Sequence, residues 1–201
     1  MREVVFDIGN VLLRWDPRNL YGRVFADEAA RESFLAGPLA MSFVTETDIA
    51  PSFAAAIEAR AAAFPEHAEA LRLFDGRWME TLSGPIAENV ALLHRLKAAG
   101  ARTHALSNFA HEKFALAADA FPFLRTFDVA VISGHEGVAK PDRRIFEILV
   151  GRTGRAPQEL LFVDDSAKNV EAARAFGIEA ILYAPGVDLA REFAERGLIA
   201  A

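Results

Sequence analysis

What most limits the fold of this chain is an alternation along its length. Short apolar runs, most ending in small or polar residues, are separated by stretches with helical periodicity. The runs are EVVF (3–6), ARTHALSN (101–108), FDVAVISG (127–134), ELLFVDD (159–165) and IEAILYA (178–184). Short runs rich in β-branched and aromatic residues read as strands buried on both faces. Helical spacing occupies 86–99 (IAENVALLHRLKAA), 110–120, 142–151 (DRRIFEILVG) and 167–176 (AKNVEAARAF), with Gly100 and Gly177 stopping the first and last of these. Strands alternating with helices imply a parallel sheet covered on both sides, so the spacing predicts a Rossmann-like, three-layer α/β core.

Residues 17–84 break the alternation. They read as almost wholly helical, through SFAAAIEARAAAF and EHAEALRLFDGRWMETL, with no convincing strand before Ser83-Gly84-Pro85. The expected organisation is an α/β core from 1–16 and 85–201, with a helical cap over 17–84 inserted after the first strand. Such an insertion sits over the C-terminal edge of the sheet, where open α/β folds bind ligands.

That edge gathers chemistry. All strands of a parallel sheet point one way, so the residues just past them meet: Asp7, then Ser107 and Asn108, then Lys140 beyond the third run, then Asp164 and Asp165. Singly, each has an ordinary use as a turn residue, a helix cap or an exposed lysine. Together, three carboxylates, a lysine and a hydroxyl suit a hard cation held by oxygen, a phosphate and a nucleophile. Cysteine is absent, which excludes disulfides, thiol nucleophiles and thiolate metal sites. The net charge of −6 argues against a broad basic face for nucleic acid. No apolar stretch approaches the length of a membrane span, and the N-terminal run is broken at Asp7, so a cytoplasmic protein without a membrane partner is expected.

DIGNV at 7–11, LSN at 106–108, GHEGVAKPDRRIFE at 134–147 and FVDDSAKN at 162–169 resemble the four motifs of the haloacid dehalogenase superfamily, most closely its phosphatase-like members with a DxGNV first motif. The inserted helices resemble that superfamily's small cap. The resemblance implies that Asp7 attacks phosphorus and forms an aspartyl-phosphate. It also implies Mg²⁺ held by the Asp7 carboxylate, the Gly9 carbonyl and Asp165, with Asp164 assisting directly or through water. Ser107, Asn108 and Lys140 are then the phosphate-binding residues, and the substrate is a small phosphorylated metabolite handled by a monomer or homodimer. Chemistry supports this independently, because an anionic nucleophile approaches a phosphate dianion only when cations offset the repulsion. Asn169 is placed to hold Lys140 or Asp165, or is a solvated helix residue.

One position departs from the pattern. Most phosphatases of the superfamily carry a second aspartate two residues after the nucleophile, serving as acid and then base; here that residue is Gly9. Losing such a group costs about 10²–10⁴-fold in rate. Asp16 is the leading replacement, with His135 or a cap residue behind it. A good leaving group, as in a sugar 1-phosphate, would lessen the need, and a non-catalytic binding or scaffold protein would have none. The superfamily's 2-haloacid dehalogenases use the same aspartate without metal, but they lack an Asp-Asp pair and carry a tyrosine where this chain has Phe146. Adjacent carboxylates beside a carboxylate nucleophile repel without a cation, which favours the phosphohydrolase. His104 reads as a core residue, His111 as a possible substrate contact, and Trp15 and Trp78 as packing at the ends of the insertion.

Overall fold

The structure is a computed structural model, and it describes residues 2–199. Strands β1 (Glu3–Phe6), β4 (Thr103–Ser107), β5 (Val129–Ile132), β6 (Leu160–Asp164) and β7 (Glu179–Leu182) form a sheet in the order β5-β4-β1-β6-β7. Every pairing in it is parallel. Two further strands, β2 (Leu13–Trp15) and β3 (Leu82–Pro85), stand apart from it. Helices α6 (Ala87–Ala98), α7 (His111–Ala120), α8 (Ser133–Glu136), α9 (Arg143–Thr153), α10 (Ala167–Phe176) and α11 (Leu189–Glu195) accompany the sheet. Each predicted strand and helix of the α/β part is present to within two residues or so.

The apolar runs are continuous because both faces of each strand are covered. Val4, Phe6, Leu161 and Val163 pack with Leu92, Leu93 and Leu96 of α6 and Phe193 of α11. Val5, Leu106 and Phe162 belong to the opposite layer, with Ile145, Phe146 and Leu149 of α9 and Val170 and Ala173 of α10. Strand period two thus meets helix period 3.6 on both sides of the sheet.

Register sets the site. Phe6 pairs with Ala105 on one side and Val163 on the other. The next residue, Asp7, therefore emerges between the ends of β4 and β6, where Ser107 and Asp164 also end their strands. The chain builds outward from β1 through β4 to β5, then returns to the other side of β1 with β6 and β7. That reversal is the switch point at which open α/β sheets leave a crevice.

The insertion holds five α-helices among the described residues: α1 (Arg18–Tyr21), α2 (Glu28–Ala36), α3 (Met41–Thr47), α4 (Phe53–Ala63) and α5 (Ala68–Gly76). Asp27 caps α2 by accepting from the Ala29 and Ala30 N–H groups, and Ser52 caps α4 by accepting from Ala55. Alanine-rich α4 buries Phe53, Ile57 and Ala61, four residues apart on one stripe. The sequence gives no warning of β2 and β3, which join antiparallel with Leu13 opposite Pro85 and Arg14 opposite Gly84. Three or four residues containing Gly and Pro are too few to show a period. Because β3 pairs only with β2, Pro85 sits on an edge where its missing N–H does no harm.

The helices of the insertion do not stand off from the sheet. Phe34, Phe53, Phe74 and Trp78 share one buried cluster with Ala105, Phe109 and Ile132. Polar ties join the same two parts: Lys113 Nζ donates to Asp75 Oδ1 at 2.5 Å, and the Phe53 N–H donates to Glu112 Oε1 at 3.1 Å.

Candidate active site

Asp7 is buried, yet its backbone still belongs to the sheet, its N–H donating to the Val163 carbonyl at 2.8 Å. Its Oδ1 accepts from the Ile8 N–H at 2.7 Å, from Ser107 Oγ at 2.7 Å and from Lys140 Nζ at 2.9 Å. These bonds converge on one oxygen and leave Oδ2 without any of them. Burial pushes the Asp7 carboxyl up to about 7; the charge of Lys140 and the Ser107 bond oppose that rise, and the charges of Asp164 and Asp165 add to it.

Lys140 is 3% exposed and lies between two carboxylates, reaching Asp164 Oδ2 at 2.6 Å as well as Asp7, with a third bond to the Leu106 carbonyl at 3.0 Å. Burial alone would lower its pKa, but Asp164 and Asp7 outweigh that and raise it, so the ammonium stays charged. Its main chain is clamped by Asn108, whose Oδ1 accepts from the Lys140 N–H at 2.8 Å and whose Nδ2 donates to the Lys140 carbonyl at 3.0 Å. Asn108, expected to touch phosphate, lines the cavity above this cluster and through both ends of its amide also holds the Lys140 main chain in place. Asn169 donates to both oxygens of Asp164, at 3.0 and 3.2 Å, rather than to Lys140 or Asp165.

The three carboxylates Asp7, Asp164 and Asp165 have oxygens all within 4.8 Å of one another. The donor set is oxygen only, which suits a hard divalent cation. Asp165 is also pushed upward, by burial and by Asp164, with a side-chain bond from Asn10 opposing. Two raised carboxylates around one lysine mark a cluster short of positive charge, and a cation fits that deficit. Asp164 has both oxygens engaged by Lys140, Ser166 and Asn169, which leaves Asp7 and Asp165 as the available carboxylate ligands.

Between Asp7 and β2 the chain turns through Gly9 and Asn10. Asn10 adopts φ 52°, a left-handed conformation asparagine tolerates, and its Oδ1 accepts from the Trp15 N–H at 3.0 Å. A Cβ built on Gly9 would meet no atom within 4 Å, so the turn does not demand glycine for space.

A cavity of about 540 Å³ opens over these groups. Asp7, Ser107, Lys140 and Asp165 line its floor, and Val44, Phe53, Phe74 and Trp78 of the insertion help wall it, joined by Asp48 at the end of α3. Asp16 is not part of it. Its carboxylate accepts from the Arg18 N–H at 2.8 Å, is 47% exposed, and lines a separate depression with Pro17 and Arg18. That placement, outside the cavity and with the carboxylate turned to the Arg18 N–H, differs from the sequence expectation of a replacement acid there. His135 and His111 also lie outside the cavity lining, their rings 6.2 Å apart. His104 is buried in β4 and bonds Glu3 at 2.7 Å, as a core residue. Asn10 and Asp48 are the site residues that sequence reasoning did not single out.

The sequence pattern of one family, described as haloacid dehalogenase-like hydrolase, matches residues 1–177. The chain belongs to the haloacid dehalogenase-like hydrolases. Sesquiterpene phosphatase astK of Aspergillus oryzae is 31% identical over 94 residues, 47% of this chain and 48% of that protein. The curated relatives shown by the comparison are each matched over less than half of their own length. Among solved structures, the family enzyme bt-2542 of Bacteroides thetaiotaomicron, in complex with magnesium and inorganic phosphate, has TM-score 0.67 at 23% identity, covering 96% of this chain and 99% of that one. L-2-haloacid dehalogenase of Xanthobacter autotrophicus, with chloropropionic acid covalently bound, has TM-score 0.67 at 20% identity, covering 100% of this chain and 85% of that one. At such identities both likenesses concern the fold alone.

Proposed function

We propose that this hydrolase is a Mg²⁺-dependent phosphomonoesterase that works through an aspartyl-phosphate on Asp7. The observation that carries the reading is the arrangement of Asp7, Lys140 and Ser107 beside an all-oxygen carboxylate cluster. Asp7 attacks through Oδ2, the oxygen free of the bonds that hold Oδ1. Lys140 offsets the charge of the phosphoryl oxygens, and the Ser107 hydroxyl turns from Asp7 Oδ1 to donate to one of them. Asp7, the Gly9 carbonyl and Asp165 would hold Mg²⁺, which would supply the further positive charge that lets a carboxylate approach a phosphate dianion.

The walls narrow the organic part of the substrate. Aromatic and aliphatic groups dominate the cap side, with Ser42, Thr45 and Asp48 as its polar members. Few partners there suit the hydroxyls of a sugar, so among small phosphorylated metabolites an apolar alkyl, aryl or isoprenoid monophosphate fits better than a sugar 1-phosphate, the example whose good leaving group would lessen the need for an acid. The sesquiterpene phosphatase relative supports the same direction. No helix among the described residues is long and apolar enough to cross a membrane. We place the enzyme in the cytoplasm, as a monomer or homodimer, acting on a free small molecule.

Dehalogenation is the weaker reading. Phe146 is fully buried against Phe162, with ring centroids 6.2 Å apart, and offers no hydroxyl to the cavity. A non-catalytic scaffold would keep this costly buried charge cluster without use. The test is inorganic phosphate release from isoprenoid, aryl and sugar monophosphates, with Mg²⁺ and with chelator, by wild type and Asp7→Asn. Release that needs both metal and Asp7 supports the reading. Chloride release from 2-chloropropionate in chelator, without phosphate release from any ester, would replace it with dehalogenation.

A further inference from the structure

Gly9 leaves the proposed reaction without its usual proton donor, and the structure offers a substitute on the other side of the cavity. We infer that Asp48, at the C-terminal end of α3, is the general acid and base of this enzyme, supplied by the cap where the core has none. This rests on the phosphatase reading and goes beyond it by assigning the proton transfers to one residue.

Elimination and placement agree. On the core side, Asp7 is the nucleophile, Asp165 faces the cation, and Asp164 is saturated by Lys140, Ser166 and Asn169. Asp48 lines the same cavity as Asp7, Ser107 and Lys140, and it is the one titratable side chain that the cap contributes to that lining among the described residues. It is also held to the core. Its carbonyl accepts from Ser133 Oγ at 3.0 Å, and that same hydroxyl oxygen accepts from the Phe109 N–H at 2.8 Å. The Ala110 N–H lies near enough to the Asp48 carboxylate to favour its charged form. Thus Ser133 of α8 and the loop that follows Ser107 and Asn108 together seat the cap residue opposite them. A cap residue fixed by the motif loop keeps its distance to the reacting atoms, which proton transfer requires.

The electrostatics run the same way. Burial pushes the Asp48 carboxyl up to about 7; the Ala110 N–H and the charge of Lys140 oppose, and the charge of Asp7 adds. A carboxyl in that range carries a proton at neutral pH and takes one back readily.

In the first step Asp7 Oδ2 bonds to phosphorus, the bond from phosphorus to the ester oxygen breaks, and the Asp48 proton moves to that oxygen, releasing the alcohol. In the second, the Asp48 carboxylate takes a proton from water as the water oxygen bonds to phosphorus. The bond from phosphorus to Asp7 breaks, phosphate leaves, and both carboxyl groups return to their starting state. The sum is one ester and one water giving one alcohol and one phosphate.

The test compares p-nitrophenyl phosphate, whose leaving group needs no proton, with hexyl phosphate, whose alkoxide does, in wild type, Asp48→Asn and Asp48→Glu. The expected result is a loss in Asp48→Asn of about 10²–10⁴-fold in kcat/KM on hexyl phosphate and a loss at least tenfold smaller on p-nitrophenyl phosphate. The high-pH limb of the wild-type hexyl phosphate profile should vanish in Asp48→Asn, and Asp48→Glu should recover part of the rate. The readout is a ratio between two esters on one preparation, so partial unfolding does not imitate it. Equal losses on both esters, or none, overturn the assignment while leaving the phosphatase standing. Wild type that releases phosphate from neither ester, nor from any other monophosphate, takes down the phosphatase reading and this inference together.

Discussion

Removing the Lys140 ammonium should unfold this protein more readily than almost any other single charge deletion. In Lys140→Met the stem volume is kept, but the bonds to Asp7 at 2.9 Å and Asp164 at 2.6 Å are lost at a position 3% exposed. Deleting one partner of a buried ion pair costs about 3–5 kcal/mol, chiefly because a charge is left without compensation. Two opposing effects bear on where in that range the loss falls. Two carboxylates are orphaned rather than one, but Asp164 keeps its bonds from Ser166 and Asn169, and Asp7 gains a proton easily. For a chain of this length the range corresponds to a fall in Tm of about 6–20 °C. The assay is guanidinium unfolding at neutral pH in metal-free buffer for wild type, Lys140→Met, Asp164→Asn and the double variant. The double variant should be more stable than the sum of the single losses, with a coupling of about 1–3 kcal/mol. A Lys140→Met variant within about 1 kcal/mol of wild type, or strictly additive losses, would refute the claim that this lysine is held by charge compensation.

Other consequences are narrower. Asn108→Ala removes both amide bonds to the Lys140 main chain and should lower stability by about 1–3 kcal/mol and kcat more than KM, checked by unfolding and steady-state kinetics. Gly134→Ala brings a Cβ within 2.3 Å of the His111 nitrogen and should lower Tm by several degrees, while Gly9→Ala, with nothing within 4 Å, should leave thermal stability nearly unchanged. For Glu3, burial works to raise the pKa, but the bonds from His104 and Arg155 more than offset it and hold the carboxyl below its usual value; burial holds His104 below its own despite the Glu3 bond. Both groups bind fewer protons folded than unfolded. Their stabilisation is therefore present above the unfolded values of 6.5 and 4.5 and is lost as pH falls through and below them, and His104→Gln should flatten the upper part of that decline in urea titrations.

Much of this was legible in the primary structure, and the parts that were not share a cause. EVVF, ELLFVDD and the other runs announce buried strands because a two-sided parallel sheet leaves no room for polar residues. Strand direction then brings Asp7, Ser107 and Asp164 to one edge, and the register of Phe6 with Ala105 and Val163 agrees. The β2–β3 ribbon was hidden because its pairing is decided by residues some seventy positions apart. Asn108 looked like a helix cap or phosphate ligand, and only the approach of Lys140 decides what its amide does. Asp48 stands in Thr-Glu-Thr-Asp, where no pattern distinguishes it from a solvated helix end; its place at the cavity comes from Ser133, Phe109 and Ala110, far off in sequence. Asp16 differs for the opposite reason: strand β2 lies between it and Asp7, and its carboxylate turns to the Arg18 N–H rather than to the cavity.

The aromatic wall of the cavity is also the joint between cap and sheet. Phe53, Phe74, Trp78 and Phe109 face the substrate space and at the same time belong to the buried cluster that reaches Ala105 and Ile132. Truncating such a side chain costs about 3–5 kcal/mol, against a total stability of about 5–15 kcal/mol for a typical protein. Evolvability is therefore constrained at this surface. Lineages that widen the pocket for a bulkier substrate must first carry stabilising changes elsewhere, so selection for a new substrate would leave its earliest marks far from the reacting atoms.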